Sequence, residues 1–250
     1  EEVSLIQNAC NITEKGFRRL LNFVRPGVWE FEIEAELLHE FVRNRSNGFA
    51  YTPIIASGFN SCVLHYIENN QQCKEGDILL LDVGAEYANY NSDLTRCLPV
   101  NGKFTKRQRA VYNAVLRVMR AATQMLVPGN NISDYHRNVG KLMEEELIKL
   151  KLLRLSDVKK QDPAKPLYKK YFMHGTSHHL GLDVHDVGSR FKKFEVGNYR
   201  YNSGNITTKS NKQTNPRPLQ GIMSWNGNGK QKNARSLLLK KTSKLTKKPT

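Results

Sequence analysis

The 250-residue sequence predicts an α+β domain, on three observations. The first part of the chain carries apolar side chains at three- and four-residue steps, which indicates helices. Short apolar runs bounded by Gly, Asn and Asp follow, as is typical of strands. A second pair of helices and the start of a further strand region come next, so helices and strands form separate blocks. Because the composition then changes, we expect the C-terminal part of the domain to be incomplete or aberrant.

Two helices are predicted to open the chain. Residues 3–24 show a helical apolar period, and the Pro-Gly pair at 26–27 ends this helix. The second helix follows at once, carries three glutamates between 30 and 34, and ends at the Ser-Asn-Gly sequence at 46–48. Acidic side chains favour a first turn because the helix N-terminus carries partial positive charge.

Strands are predicted next, at 51–56 and 78–83, and the segment 90–100 also has strand character. Helical spacing then returns, opened by a Thr105-x-x-Gln108 capping box. The later elements are, in order, helices at 105–126 and 132–153, a polar connector at 156–168 and a Gly- and His-rich segment at 172–188.

The net charge of +16 is unevenly distributed along the chain. Residues 1–197 hold all 23 Asp and Glu together with 27 Lys and Arg, whereas residues 198–250 hold 12 Lys and Arg and no acid. This last stretch is also poor in apolar residues and has no regular period, so it is predicted to be disordered. We therefore expect a folded domain at 1–197 and a basic tail at 198–250.

Cysteine content and hydropathy limit the cellular setting. Four cysteines without a CxxC pair favour free thiols in a cytoplasmic protein over a disulfide framework or a zinc knuckle. No apolar run reaches the roughly 18 to 20 residues that a membrane-spanning helix needs, so no membrane partner is expected.

Two aspartates are the first candidates for chemistry. Asp82 ends an apolar strand, and Asp93 follows eleven residues later in the next predicted strand. A hairpin with its tip near Tyr87-Ala88 would set the two residues opposite each other on one face. Two carboxylates that face each other across neighbouring strands repel, so they share a proton or bind a cation. The alternative is a surface hairpin with two solvated aspartates.

Histidines form the second candidate group. Four of the seven histidines lie in HGTSHHLGLDVHDVG, at His174, His178, His179 and His185. Imidazole nitrogens with carboxylate oxygens suit Mn, Co, Zn or Fe better than Ca or Mg. Other roles stay open at this point: His179 could simply be packed, and any one histidine could be structural. Asp183 and Asp186 could instead orient an imidazole, and His65 is a further candidate that means little alone. Together, the two aspartates and these histidines suggest a metal-assisted hydrolase.

These stretches resemble the pita-bread metallopeptidases, and most closely the Xaa-Pro aminopeptidases. The resemblance covers roughly residues 1–198 and rests on GFAYTPIIASG, LHYIEN, GDILLLDVGAEY, YNSDLTRCLPVNGKFT and HGTSHHLGLDVHDVG, in this order. It implies a pita-bread (creatinase/aminopeptidase-like) fold and release of the first residue from peptides with proline second. It also implies two divalent metal ions. The usual metal is manganese, and cobalt or zinc are alternatives. Full-length members also carry an N-terminal domain, which would explain why this sequence does not begin with methionine.

Residue by residue, the resemblance assigns the metal ligands and the residues around the substrate. Asp82 corresponds to a ligand of one metal, Asp93 to a carboxylate that bridges both, and His178 to the imidazole on the second. Three further histidines correspond to those that contact substrate and stabilise the transition state: His65, His174 and His185.

The resemblance stops before the family's last two ligands. Family members have two glutamates downstream of the His motif, whereas no acid follows Glu195 here. We therefore expect weak metal binding and little peptidase activity, and we interpret the tail as frame-shifted or otherwise aberrant. The alternative is an inactive pita-bread binding protein whose basic tail binds nucleic acid through its phosphates. A homo-oligomer is compatible with either function.

Overall fold

The computed structural model describes residues 1–127 and 129–187. Its described residues divide into two compact units. The first contains Glu1–Thr105 together with His179–Asp186, and the second contains Lys106–His178. The expectations for residues 198–250 lie outside the described residues.

The observed elements follow the predicted order of helices and strands. The predicted helices are confirmed with ends that shift by a few residues, whereas the strand predicted at 51–56 lies slightly later and the one at 90–100 is split in two. The helices are α1 (Glu2–Phe23), α2 (Glu30–Arg43), α3 (Lys106–Gln124), α4 (Ile132–Lys149) and the single-turn α5 (Leu155–Val158). The strands are β1 (Gly48–Phe49), β2 (Ile54–Ser57), β3 (Ile78–Val83), β4 (Ala85–Tyr87), β5 (Tyr90–Asn91) and β6 (Leu94–Pro99).

The first unit packs two helices against two small antiparallel sheets. One sheet has the order β2-β3-β6 and the other β1-β4-β5. Helices α1 and α2 pack together, α1 contacts β4 and β5, and α2 contacts β2. The apolar residues predicted to repeat along these helices form the core, and the largest of them that are fully buried are Phe17, Leu20, Ile33, Leu37 and Phe41.

The second unit is helical. Val118 and Ala122 of α3 pack with Tyr135 and Val139 of α4 in a buried cluster. Helix α4 begins at an effective cap, because the Asn131 side chain accepts a 2.8 Å hydrogen bond from a backbone N–H of the first turn.

Two further features concern the chain's setting. The four cysteines all lie within the described residues and form no disulfide bond there. Among the described residues, no helix has both the length and the apolar content to cross a bilayer.

Candidate metal centre

The two candidate aspartates lie on neighbouring antiparallel strands. In β3, Leu79, Leu81 and Val83 are buried and alternate with less buried residues, and Asp82 lies on that second face. Asp82 pairs with Thr95 of β6, and Asp93 directly precedes this strand. Both carboxylate residues are half-buried. The alternative of two fully solvated aspartates therefore does not apply.

The tip of the hairpin differs from the prediction by one residue. Ala88 and Asn89 have φ of 52° and 68°, as a two-residue type I′ turn requires. The turn is therefore at 88–89, and the predicted tip at Tyr87-Ala88 is wrong. When the tip of a hairpin shifts by one residue along the chain, the residue opposite any given position shifts by two. Thr95 therefore lies opposite Asp82, and Asp93 lies diagonal to it. Since side chains alternate with a period of two, both aspartates keep the same face.

A tyrosine brings the two carboxylates together. The Tyr51 hydroxyl lies 2.7 Å from Oδ1 of Asp82 and 3.0 Å from Oδ1 of Asp93, and donates to both. Tyr51 is itself half-buried and lies just before β2. Both carboxylates thus approach a single oxygen atom.

The electrostatics at this point favour a cation. Burial, and after it the negative charges of Asp93 and Asp82, raise the pKa of Tyr51 far above its ordinary value. The Tyr51 hydroxyl donates to these carboxylates but carries no positive charge of its own. Like charges held this close are relieved by a positive ion, and hard carboxylate oxygens are ligands that divalent cations accept. The donor set at the Asp82–Asp93 pair therefore fits a divalent metal ion.

The backbone between the two aspartates is fixed by a close approach. A Cβ on Gly84 would lie 1.8 Å from the carbonyl oxygen of Ser92, so only glycine fits. The Ala85 N–H donates to the hydroxyls of Thr13 in α1 and of Ser92, at 2.9 Å each. These two hydroxyls are buried and lie 2.6 Å apart. Helix α1 thereby holds the corner that separates Asp82 from Asp93.

Part of the His-rich segment belongs to the first unit and is attached to β5. The Asn91 backbone N–H donates to the Gly181 carbonyl at 3.0 Å, and its side chain donates to the Leu182 carbonyl at 2.6 Å. His179 and Asp186 form a backbone bridge, and both are half-buried. His185 lies inside this bridge and is exposed, as is Asp183.

The other two candidate histidines of this segment belong to the second unit. His174 is exposed, and His178 is half-buried. Nearby, the His136 ring lies 2.9 Å from the Thr176 hydroxyl, and burial lowers the pKa of His136, with Lys169 as a further cause. His136 lies on α4 and was not predicted from the sequence; its isolated position in a helical pattern gave no signal.

His65 lies in an exposed loop of the first unit. Its φ of 52° places the backbone in the left-handed region, which few non-glycine residues adopt. Such backbone conformations persist only where the surrounding structure holds them.

The structure thus assembles the carboxylate pair and its tyrosine. Within residues 1–127 and 129–187, no three or more His, Cys, Asp or Glu residues form a group able to hold a metal ion. The complete ligand set of Asp82, Asp93 and His178 therefore stays a prediction. Tyr51 was not predicted, since a tyrosine beside Thr-Pro carries no signal that it reaches two aspartates more than thirty residues away.

A comparison with protein families decides the classification. The profile of metallopeptidase family M24 matches residues 4–221. This chain belongs to metallopeptidase family M24. M24 peptidases use divalent metal ions, which agrees with the carboxylate pair, and the resemblance inferred from the sequence motifs is confirmed.

Individual relatives agree with this assignment. Over 188 residues the chain is 42% identical to the Xaa-Pro aminopeptidase of Haemophilus influenzae. The aligned region covers 75% of this chain and 43% of the relative. The mouse Xaa-Pro dipeptidase is 38% identical over 193 residues, covering 75% of this chain and 38% of the relative. The chain thus spans less than half the length of the curated relatives it matches.

Solved structures support the fold. The zinc-substituted E. coli aminopeptidase P in complex with product has a TM-score of 0.69 at 39% identity, covering 76% of this chain and 42% of that one. The Yersinia pestis proline aminopeptidase P II has a TM-score of 0.69 at 38% identity, covering 75% and 43%. The predicted α+β class and pita-bread fold are confirmed.

Proposed function

We propose that this chain is a metal-dependent aminopeptidase that releases the first residue from peptides with proline in second position. The observation that carries the proposal is the Asp82–Asp93 pair, two carboxylates held at one phenol in a chain of family M24. The Xaa-Pro aminopeptidases of Haemophilus influenzae and Escherichia coli, which are 42% and 41% identical to this chain, supply the substrate class.

Asp82, Asp93 and His178 would hold the metal. The chemistry that a divalent cation would supply there is Lewis acidity, which would lower the pKa of a water molecule and polarise a peptide carbonyl. Manganese is our first choice among the metals that accept mixed oxygen and nitrogen ligands, with cobalt or zinc as alternatives. Two ions are expected from the family.

The chain's own residues have separate roles in this proposal. Asp82 and Asp93 concentrate negative charge where the cation binds. His65 and His185 donate hydrogen bonds to charge that develops on the carbonyl oxygen, and His174 contacts the peptide. All three histidines are exposed, as groups that meet a substrate must be.

We further propose that catalysis by this chain is weak. All 23 Asp and Glu lie within residues 1–197, so residues 198–250 cannot supply the family's two downstream glutamates. Fewer carboxylates leave more of the cation's charge uncompensated and lower its affinity. In this proposal residues 1–197 form the catalytic domain and residues 198–250 a separate basic tail.

A metal count paired with a cleavage assay tests the proposal. Purified full chain is loaded with Mn²⁺, counted by elemental analysis and given Gly-Pro-X and Gly-Ala-X peptides. We expect bound manganese and slow release of glycine from the proline peptide only. Loss of manganese in Asp82→Asn, with the fold retained by circular dichroism, completes the expected result. Wild-type protein that binds no divalent metal would refute the proposal.

Nucleic-acid binding is the second candidate, favoured by the 12 Lys and Arg and the absence of acids in residues 198–250. Protein that holds no metal but is retained on nucleic acid in a salt-dependent manner would support it instead. Protein with both properties would retain the peptidase proposal and add a binding tail.

A further inference from the structure

Helix α2 begins with a buried carboxylate. Glu30 is the first residue of α2 and has no solvent-exposed surface. Among the described residues it forms no ion pair with Lys, Arg or His. A charge in such a position is tolerated only where hydrogen bonds replace its water shell. The identity of its donors therefore indicates what it is for.

In the part of the chain that the structure describes, Glu30 has four donors, and all come from one segment that begins at Ser57 and ends at Gln71. Oε1 of Glu30 accepts from the backbone N–H of Ser57 at 2.7 Å and from the side chain of Asn60 at 3.4 Å. Oε2 accepts from the Tyr66 hydroxyl at 2.7 Å and from the backbone N–H of Gln71 at 2.9 Å. One carboxylate thus holds the start, the middle and the end of this segment.

The segment between these anchors is the loop that carries His65, defined here as residues 58–71 and called the His65 loop. It has little regular structure besides a 3-10 turn at Gly58–Cys62. Its apolar side chains give little packing, since Phe59 is 83% exposed, Leu64 65% and Ile67 62%. Hydrogen bonds to Glu30 therefore replace the core contacts that would otherwise fix the loop.

His65 lies next to one of the anchors. Its left-handed backbone, with φ of 52°, directly precedes the buried Tyr66 that donates to Glu30. The hydrogen bond of this hydroxyl to Glu30 therefore anchors the chain at the residue next to His65. The contact thus sets the direction in which the imidazole leaves the loop.

We propose that Glu30 is the positioning residue of His65: its carboxylate fixes the His65 loop so that the imidazole faces the Asp82–Asp93 pair's metal and substrate. The proposal rests on the proposed function for its catalytic meaning. Glu30 contacts neither substrate nor metal in this scheme and acts only through the loop.

The test uses Glu30→Gln in the full chain. A glutamine keeps the shape of the side chain but presents an NH₂ group to one pair of donors. The hydroxyl of Tyr66 can turn and accept, whereas a backbone N–H cannot, so at least one anchor is lost. Glu146→Gln is the matched control, because Glu146 is a buried glutamate of α4 whose partners are Arg117 and Lys149.

Two measurements are made on each protein. Hydrogen exchange followed by mass spectrometry compares peptides of the His65 loop with peptides of α1. Broadening of the His65 imidazole resonance by added Mn²⁺ reports whether the ring still faces the metal; this resonance is identified as the one lost in His65→Gln. A purely structural role would not alter the second signal in a protein that remains folded.

We expect Glu30→Gln to raise exchange in the His65 loop about tenfold or more, since hydrogen bonds to a charged acceptor are lost, with α1 unchanged. The Mn²⁺-dependent broadening of His65 should weaken in parallel, whereas Glu146→Gln should change neither signal. Tyr66→Phe, which removes one donor only, should act in the same direction with a smaller effect and serves if Glu30→Gln does not fold.

Three results would overturn the proposal or its basis. Loop exchange and His65 broadening at wild-type levels in both variants would overturn it, as would a rise in exchange spread equally over α1 and the loop. If Mn²⁺ broadens no resonance in the wild type, the proposed function fails, and the exchange comparison alone then decides whether Glu30 holds the loop.

Discussion

The aspartates and the histidines of the proposed site are held in different ways. Asp82 and Asp93 are fixed by the register of an antiparallel pair, by a shared phenol and by a backbone corner tied to α1. In the described part of the His-rich segment, regular pairing is limited to the bridge between His179 and Asp186. The sheet thus preorganises the carboxylates, while the histidines depend on local loop contacts. Preorganised ligands retain their geometry when no metal is bound.

The largest test of this difference replaces one glycine in each region. Gly84→Ala puts a methyl group where the Ser92 carbonyl oxygen lies 1.8 Å away, so the backbone must move. We expect a loss of about 3 kcal/mol or more in the free energy of unfolding, measured by urea denaturation.

Gly175→Ala is the matched change in the His-rich segment. Within the described residues, no atom other than those of residue 175 and its two chain neighbours lies within 4 Å of the added Cβ, and we expect a change within about 0.5 kcal/mol in the free energy of unfolding. Equal losses in the two variants would show that the two regions are held equally tightly.

The second test removes the hydroxyl that joins the aspartates. Tyr51→Phe should lower the free energy of unfolding of the metal-free protein by about 1.5 kcal/mol, because two half-buried carboxylates lose a shared donor. Added Mn²⁺ should recover most of this loss, since a cation compensates both charges. Tyr87→Phe is the control, because the Tyr87 hydroxyl makes no hydrogen bond within the described residues, and we expect no loss in the free energy of unfolding. A stability loss that Mn²⁺ leaves unchanged would argue against a cation at the pair.

The third test separates binding from stability. Asp82→Asn should lower the affinity for Mn²⁺ at least about tenfold, or about 1.4 kcal/mol, in calorimetric titration. The metal-free variant should be as stable as the wild type or more so, because repulsion from Asp93 is relieved. Asp183→Asn, in the exposed part of the His-rich segment, should leave affinity unchanged. Weaker binding in Asp183→Asn than in Asp82→Asn would reverse the comparison.

The smallest expected effect concerns Glu146, a carboxylate that is held by two cations, whereas Asp82 and Asp93 are joined by a phenol. Hydrogen bonding to Arg117, and after it to Lys149, lowers the pKa of Glu146 from 4.5 to about 2. Because the folded pKa is the lower one, this contribution is fully present above about pH 4.5 and is lost as the pH falls toward 2. We expect this interaction to contribute about 1 kcal/mol to the free energy of unfolding, since both cations are largely exposed and therefore screened by solvent.

The measurement compares urea unfolding of the wild type and Glu146→Gln across this pH range. The difference between them should shrink as the pH falls. A difference that grows on acidification would contradict the assignment of the lowered pKa.

The features that could be predicted from the sequence are those that depend on the periodicity of helices and strands. Strand period alone set Asp82 and Asp93 on one face, and this survived an error of one residue in the turn because the error moved the partner by two. The helices were predicted closely, since their apolar periods and the Pro-Gly pair at 26–27 are local signals.

The supporting contacts could not be predicted in the same way. Tyr51 and Asp82 are 31 residues apart, and Glu30 and Tyr66 are 36 apart, so no local pattern joins them. The sequence placed Glu30 in the acidic first turn of α2 and gave no sign that it is buried, yet it has no exposed surface. Its neighbour Glu32 instead accepts from the Trp29 N–H at the helix start. Which glutamate of a run enters the core depends on the loop that packs over it.

The two-residue turn at 88–89 also limits how this hairpin can change in length. Inserting or deleting one residue between the aspartates would reverse the parity of β6 and send the Asp93 side chain to the opposite face of the sheet. A change of two residues would restore the face and move the carboxylate along the strand by one repeat. We therefore expect single-residue length variants of this hairpin to lose the paired carboxylates, while double-residue variants can keep them on one face.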